Sequence, residues 1–589
     1  MFKSNFAILQ KRYPALLPLI QKIKPMNIYL QKSRSNDDVL CFRKSGEEVY
    51  LFSLYNPRKE AERIFNSFID SKKEVALIYG TGLEYLIEQF LDRDIQFCVI
   101  EDDPALLWFL FNRIDLNDER WRRVEFIFDL PGFYFEEELR KWFQKNRARS
   151  YEIIFSLGLS ELKKNRIEKL AKRIAELATE AYQNIACTLH FNIHWLMNIL
   201  SNLKRIKENL WVDDLRFEKR HNPVVVIGAG SSVRSYLEIL NTFQDRIWIV
   251  AVDTILPTLV DCDIKPDIVV SIDAGLENVK DFKILKNKNT GFILAADAVI
   301  HPDTFNYHKG QTVFAITPFV GMDGDVSPVI KFFSDKLTRR PFYWLSGGSV
   351  LHNAIYLALY LFTGDIFLLG ADFSYRYVKH SVGTVSFNNY INQLAKFKGV
   401  DFKSNKKEEI ILKNIKGEDV FSDRVLILYK RFLEENFDFK SSRVYNLSEE
   451  GLAIKNVDNI KKERFFNILK AVARKDKIYV TRHRERIRFD FSKEREKIEK
   501  IEIGATNIQI EILNSLKDVK FNTKFIQDFE KLEKEDYFGL VKELTGGVFI
   551  VCEKYNRGTR YGELQYYFTL SKAISEAAKF LLQGLASVG

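Results

Sequence analysis

Two short stretches of the chain have the residue types and spacing to hold a phosphate. Each is an apolar run followed by a glycine turn. Val75–Tyr79 leads into Gly80-Thr81-Gly82, and Val224–Ile227 leads into Gly228-Ala229-Gly230-Ser231-Ser232. A glycine turn between a strand and a helix lets a phosphate approach the backbone and meet the positive end of the helix. Neither turn has the full G-x-G-x-x-G spacing, because the third position holds Tyr85 in one and Val233 in the other. An acid follows each turn at about the distance from which it holds a ribose hydroxyl, Glu101 and Asp253. The first turn by itself reads as a structural or degenerate Rossmann-like unit.

The second turn has more company. Ser231 and Ser232 either bond a phosphate or cap a helix. Further on, Ser271-Ile272-Asp273 ends an apolar run, and Ser346-Gly347-Gly348-Ser349 opens the helical pattern Val350–Leu361. Gly370-Ala371-Asp372-Phe373 ends the run Ile366–Leu369, with Tyr375, Tyr377 and His380 just beyond. Ligands of open parallel sheets bind beyond the carboxyl ends of the strands. Any one of these segments is ordinary turn chemistry, but together they predict a site.

The elements that must position these residues are legible as short apolar runs. Trp248–Val252, Ile268–Ile272, Phe292–Ala295, Val313–Ile316 and Ile366–Leu369 alternate with helical segments, the pattern of a doubly wound parallel sheet. We therefore expect an α/β protein. Its Rossmann-like parallel-sheet core is flanked by an N-terminal α/β domain and a C-terminal helical domain. The expected boundaries are 1–158, a helical connector 159–220, the core 221–457 and the helical tail 458–589. Residues 387–419 are Lys-rich and polar, and read as a lid or as an insertion without a role.

Composition bounds the function. With 589 residues, 46% hydrophobic and 29% charged, the chain is neither disordered nor fibrous. The net charge of +10 is spread over basic runs interleaved with acids, as in Lys493–Lys500, which reads as solvated helix faces rather than a nucleic-acid footprint. The five cysteines are scattered, which fits reduced thiols in a cytoplasm. Lys11 and Arg12 interrupt the first apolar stretch, and Ala354–Phe362 is too short to span a bilayer, so a cytoplasmic protein without membrane insertion is expected. His190 and His194 have a metal-ligand spacing but lack the glutamate of H-E-x-x-H, and Asp323-Gly324-Asp325 sits where turn aspartates are common. No metal site and no tightly bound cofactor are expected.

The segments Val224–Ser232, Ala251–Leu259, Lys265–Ala274, Leu345–Leu361, Ile366–Tyr375 and Tyr445–Ile454, with Trp195, Asn198 and Asn202 ahead of them, resemble the motility-associated factor (Maf) flagellin glycosyltransferases. That family shares its core with archaeal 6-hydroxymethylpterin diphosphokinases, and the core resembles the bacterial CMP-sialic acid transferases, which implies a GT-A-like catalytic core. The likeness covers about residues 190–455. Two loops depart from the family pattern. Relatives often carry proline before the second serine of Gly228–Ser232, and Gly-Gly-Ala where this chain has Gly451-Leu452-Ala453.

The resemblance implies an inverting transfer of a nonulosonic acid, of pseudaminic or legionaminic type, from its CMP-activated donor to Ser or Thr of flagellin. Leaving-group charge then needs hydrogen-bond donors, and the acceptor hydroxyl needs a base. On that reading the amides of Gly228, Gly230, Ser231 and Ser232 face the donor's phosphate or ribose. Asp253, Asp273 and Asp372 hold donor hydroxyls or base, and Gly347, Gly348 and Ser349 contact the donor. Tyr375 and Tyr377 donate to the departing phosphate, and His380 is the general base that takes the proton, its neutral imidazole titrating in the right range, unless it is a solvated loop histidine. The C-terminal helices would bind flagellin. Three rivals stand beside it: diphosphate transfer from ATP to a pterin, a non-catalytic flagellin-binding or export factor, and methyl transfer at the first glycine turn.

Overall fold

The computed structural model describes the chain except for residues 1, 24–26, 45–46, 92, 94, 147–149, 209, 218–220, 287, 289–290, 320–325, 335–340, 377–379, 382, 387, 389–408, 440–442, 476–477, 481–491, 516–523, 537, 546–559 and 587–589. The chain divides into two compact units. One is Met1–His190, and the other is Phe191–Phe319 with Val326–Gly589.

After the helices Phe2–Arg12 and Leu17–Gln21, the first unit forms an antiparallel sheet of three strands, β1 (Ile28–Lys32), β2 (Asp38–Lys44) and β3 (Glu47–Tyr50). Four parallel strands follow, β4 (Val75–Tyr79), β5 (Gln96–Glu101), β6 (Glu125–Phe128) and β7 (Tyr151–Ile154), in the order β6-β5-β4-β7. All five residues of β4 are buried, as expected of a central parallel strand covered on both faces. The helix α1 (Leu157–Glu208) carries the chain from this unit into the next, with non-helical backbone at Lys163.

The second unit is built on a parallel sheet of nine strands. In chain order they are β8 (Leu210–Trp211), β10 (Val224–Ile227), β11 (Trp248–Val252), β12 (Ile268–Ser271), β13 (Ile293–Asp297), β14 (Thr312–Ala315), β15 (Ile366–Leu369), β18 (Val444–Asn446) and β19 (Asp458–Asn459). Between them β9 (Leu215–Phe217) pairs with β20 (Ile478–Val480), and β16 (Ile410–Lys413) with β17 (Asp419–Ser422), both antiparallel. The large sheet runs β19-β18-β15-β10-β11-β12-β13-β14-β8. The chain builds outward from β10 through β14, then crosses back to lay β15 on the other side of β10. The reversal puts the topological switch point between β10 and β15, where such sheets take ligands.

Side-chain alternation explains how the sheet is covered. Ile268, Val270, Ile293, Ala295, Val313 and Ala315 face one core, and Val269, Leu294, Ala296 and Phe314 face the other. The first core is closed by helix α4 (Val350–Leu361), through Ala354, Ile355 and Ala358. The second contains Leu196, Ile199 and Leu203 of α1, together with Ile498, Ile501 and Leu570 of the C-terminal helices α5 (Ser492–Ser515) and α6 (Arg560–Ala586). The expected helical tail is therefore one wall of the core unit, not a separate domain. The expected connector likewise divides at residue 190 and contributes the edge strand β8.

Candidate functional site

The site is assembled where β10 and β15 end side by side. Gly228 donates its amide to the Leu369 carbonyl at 2.8 Å, and Gly230 to the Gly370 carbonyl at 3.1 Å. This close approach needs bare backbone. A Cβ on Gly228 would stand 2.7 Å from the Gly370 oxygen, and one on Gly370, whose φ is +72°, would stand 2.6 Å from the Gly228 oxygen. Asp372 is buried over the turn. Its Oδ2 accepts from the Ser232 amide at 2.9 Å, and its Oδ1 from the Ser232 hydroxyl at 2.5 Å. Ser231 Oγ lies 3.5 Å from Oδ2.

These bonds correct the expectation of an open phosphate cradle. The amides of Gly228, Gly230 and Ser232 are committed to the β15 loop. The segment that follows is also not an α-helix at first. Ser231–Tyr236 is a 3-10 turn, and the α-helix begins only at Leu237. A six-residue 3-10 turn supplies much less axial dipole than a full helix.

His380 reaches this place through its neighbour. Ser381 donates its amide to the Ala229 carbonyl at 2.8 Å, so the half-buried His380 lies next to the glycine turn. Gly383, with φ +94°, packs on Thr258 of helix α2 (Leu256–Asp261). The His380 loop is thus held between the β10 turn and the helix that follows Asp253. Tyr375 is half-buried, bridges to Phe421 of β17 and points its hydroxyl to Glu409 at 3.4 Å. Tyr377 lies outside the described residues, as does Asp323-Gly324-Asp325. Of the expected lid, 389–408 lies outside them too, and its end forms the β16–β17 hairpin.

Ser346–Ser349 opens α4 at the same edge of the sheet. Gly348 takes φ +83° and is exposed, and Ser349 is the extended N-cap. The first turn of α4 touches the glycine turn, since a Cβ on Gly228 would meet Leu351 at 3.3 Å.

Two strands over, the carboxyl ends of β11 and β12 gather acids. Asp253 is buried, and its Oδ1 accepts from the Thr254 amide at 2.8 Å. Burial pushes it up to about 6, with nearby Asp273 adding to the rise, while hydrogen bonds from Ser271, Thr254 and Asn278 pull it back. Asn278 Nδ2 donates to Ser271 Oγ at 2.8 Å, which fixes that chain. Asp273 is instead exposed, and its Oδ1 accepts from the Gly275 amide at 2.8 Å, the bond of a turn aspartate. The two residues that the sequence grouped together thus stay near each other but differ in burial.

Sequence reasoning missed three buried groups. Asp281, in helix α3 (Val279–Phe282), is pushed up to about 8 by burial and by the charges of Asp253, Asp273 and Glu277, and its Oδ1 has no hydrogen-bond partner. Asp297 ends β13 and takes bonds from the Val299 and Thr317 amides and the Trp344 indole; burial pushes it up to about 6. An acid at a strand end was the signal that marked Asp253, and it applied equally to Asp297. His352 of α4 is fully buried, is paired through Nε2 with the Tyr429 carbonyl at 2.9 Å, and is pushed down to about 4 by burial. A lone histidine in an apolar helix gave no such hint.

Asn198 and Asn202 have clear work in the fold. From α1, Asn198 Nδ2 donates to the Ala274 and Val299 carbonyls at 3.0 and 2.8 Å, and Asn202 Nδ2 to Ala298 and Ile300 at 3.2 and 2.9 Å. The two amides clamp the loops that leave β12 and β13. Trp195 stacks on Phe319 with centroids 4.1 Å apart.

In the first unit the glycine turn is filled. A Cβ on Gly80 would collide with Leu159, and one on Gly82 would stand 2.9 Å from Phe52. Glu101 is turned inward, accepting from the Thr81 amide at 2.7 Å and from the Asp102 and Asp103 amides at 3.0 and 2.9 Å. Burial raises it to about 7. Glu101 is a structural clasp rather than a free ribose-binding acid, which removes the ground for methyl transfer at this turn. Among the described residues no group of three or more His, Cys, Asp or Glu is placed to hold a metal ion.

Fold and site together define an all-parallel α/β core with its polar residues gathered at a switch point. The comparisons agree with that class. Residues 197–378 match the family model of 6-hydroxymethylpterin diphosphokinase MptE-like proteins. The solved structure of a Maf glycosyltransferase from Magnetospirillum magneticum AMB-1 superposes with a TM-score of 0.56 at 14% identity, covering 100% of this chain and 94% of that one. An uncharacterized protein of Treponema pallidum (strain Nichols) is 28% identical over 106 residues, 17% of this chain. The chain spans about half the length of that curated relative. This chain thus has the fold of a Maf glycosyltransferase structure, with an MptE-like core within it; the motifs had carried that likeness only over about residues 190–455. No helix among the described residues is long and apolar enough to cross a membrane.

Proposed function

We propose that the protein is a glycosyltransferase that moves a nonulosonic acid, of pseudaminic or legionaminic type, from a CMP-activated donor to Ser or Thr of flagellin in the cytoplasm. The observation that carries this reading is the meeting of the β10 turn, Asp372 and the His380 loop at the switch point of a core whose fold is shared with a Maf glycosyltransferase. The reaction needs a base near the acceptor hydroxyl and donors near the leaving phosphate. His380 serves as the base, Tyr375 and Tyr377 as donors to the phosphate. Asp253 and the Gly347–Ser349 turn bind the donor nucleotide. The proposed reaction uses no metal and no tightly bound cofactor.

The test is the intact mass of flagellin from cells with and without this protein. A mass difference matching one or more nonulosonic acids is expected, and unchanged flagellin overturns the reading. His380→Ala should lower glycosylation by two or more orders of magnitude, the usual span of general-base catalysis (about 10²–10⁴-fold). Normal flagellin mass in that variant would remove His380 from the mechanism. The match to the MptE-like model favours one second reading, diphosphate transfer from ATP. Calorimetric titration with CMP and with ATP separates the two.

A further inference from the structure

The Ser346–Ser349 turn lacks the usual device for holding a helix start. Ser349 is the N-cap of α4, yet its side chain makes no capping bond. The polar hold comes from inside the core instead. Asn353, one turn into α4 and fully buried, donates through Nδ2 to Ser346 Oγ at 3.0 Å and to the Ser349 carbonyl at 3.2 Å. Its Oδ1 accepts from the Trp344 indole at 3.1 Å. That indole nitrogen also lies 3.0 Å from Asp297 Oδ2 and 2.9 Å from Thr317 Oγ1. Asp297, at the end of β13, takes the Val299 amide on Oδ1 at 3.0 Å and the Thr317 amide on Oδ2 at 2.7 Å. Asp297, Thr317, Trp344 and Asn353 are all buried. Asparagine is a poor helix former, and a buried polar network costs stability unless its members are paired. Both ends of the Asn353 amide are paired, so the network has a single arrangement.

We propose that Asp297, Trp344 and Asn353 are positioning residues: a buried relay of hydrogen bonds runs from the end of β13 to the Ser346–Ser349 turn and fixes the shape in which that turn takes its ligand. This rests on the reading of the turn as a donor contact. The chemistry of the relay sets its direction. Three N–H groups converge on Asp297, the setting of an ionised carboxylate, whose hydrogen bonds are the strong ones. The indole N–H can only donate, so it meets the oxygen of the Asn353 amide and leaves the nitrogen for the turn. Asn353 then bridges the first and last residues of the turn, and the span between them is set from the core. All three residues are buried, so they act through the turn and not on a ligand. At the far end, Asn198 of α1 donates to the Val299 carbonyl at 2.8 Å, which ties the start of the relay to that helix.

The experiment uses the full chain as wild type, Trp344→Phe, Asn353→Leu and the double variant. Phenylalanine keeps an aromatic ring in the core and removes the N–H. Two quantities are measured on folded protein: CMP affinity by calorimetry, and hydrogen exchange of residues 345–352. Each single variant should weaken CMP binding about fivefold or more, the worth of one hydrogen bond. Exchange of the turn should quicken about tenfold or more, while residues 354–361 stay protected. The double variant should lose little more than the worse single variant, because both cut the same relay. Losses that multiply in the double variant overturn the proposal, as does turn exchange in Trp344→Phe equal to that of wild type. A core that is merely destabilised would quicken residues 354–361 equally and spare the CMP affinity of the folded molecules, which overturns it too. If Asn353→Leu does not fold, Trp344→Phe still decides by both measurements. Wild type that binds no CMP sinks the donor reading, and the exchange pattern then decides the relay by itself.

Discussion

Asp253 and Asp281 show what a pair of neighbouring buried carboxyls must do. Both cannot ionise cheaply in one low-dielectric place, so their titrations are pushed upward and apart. Asp281, with an unpaired oxygen, bears the larger rise. The consequence for stability has a definite sign. An unfolded aspartate titrates at about 4, and folded Asp281 at about 8. Between those values the folded state holds the extra proton, so stability from this group is full below the lower value and lost as pH rises through the higher one. Asp281→Asn cannot ionise. Its advantage over the wild type should be small at pH 5 and grow to about 1–3 kcal/mol at pH 8. That is a part of the full linkage, in which each pH unit between the two titrations is worth about 1.4 kcal/mol. Urea unfolding at the two pH values checks this, and an advantage independent of pH would contradict it.

Among the elements, the loops at the carboxyl edge are held by side-chain amides and by backbone contact that only glycine permits. Asn202→Leu leaves the Ala298 and Ile300 carbonyls without their donor. Each unsatisfied buried group costs about 1–3 kcal/mol, so thermal unfolding should show a loss of about 2–4 kcal/mol. Gly370→Ala places a methyl 2.6 Å from the Gly228 oxygen at a φ of +72°. It should cost at least about 2 kcal/mol through strain and overpacking together, and should weaken nucleotide binding as well, because β15 and β10 would part. A variant as stable as wild type would show that the two loops can separate freely. These elements were well marked in the sequence. The runs Val224–Ile227, Trp248–Val252 and Ile366–Leu369 appear as strands with the expected ends, and Val350–Leu361 is the expected helix.

For the whole molecule, the C-terminal helices matter first as structure. Ile498, Ile501, Leu570, Ile574 and Leu581 are buried in the same core as Leu294 and Phe314 of the sheet. Truncation after residue 457 would strip these buried side chains from a core that α1 also lines. At roughly 25 cal/mol per Å² of apolar surface, losing that many buried apolar side chains is comparable to the stability of an ordinary domain. The truncated chain should therefore aggregate or lose its cooperative melting transition, rather than retain CMP binding without the acceptor. A soluble, cooperatively melting 1–457 fragment would restore the separate-domain view. The proposed flagellin binding is better tested by substitutions on the exposed side of α5, where Ile503, Ile510 and Leu513 are open to solvent.

By itself the sequence determined which segments become strands, which turns carry glycine and which strand ends carry acids. These are local properties, written in short apolar runs and in residues that tolerate special backbone angles. Tertiary structure decided what each acid meets. Asp372 and Ser232 lie 140 residues apart in the chain and meet only because β15 crosses back beside β10. Glu101 and Asp253 carried the same signal, yet one clasps its own glycine turn and the other shares a buried place with Asp281. Asp273, singled out with Asp253, faces solvent. Whether a polar group is a ligand contact, a clasp or a cap depends on which loops the sheet order brings together, and strand order is not a local property of the chain.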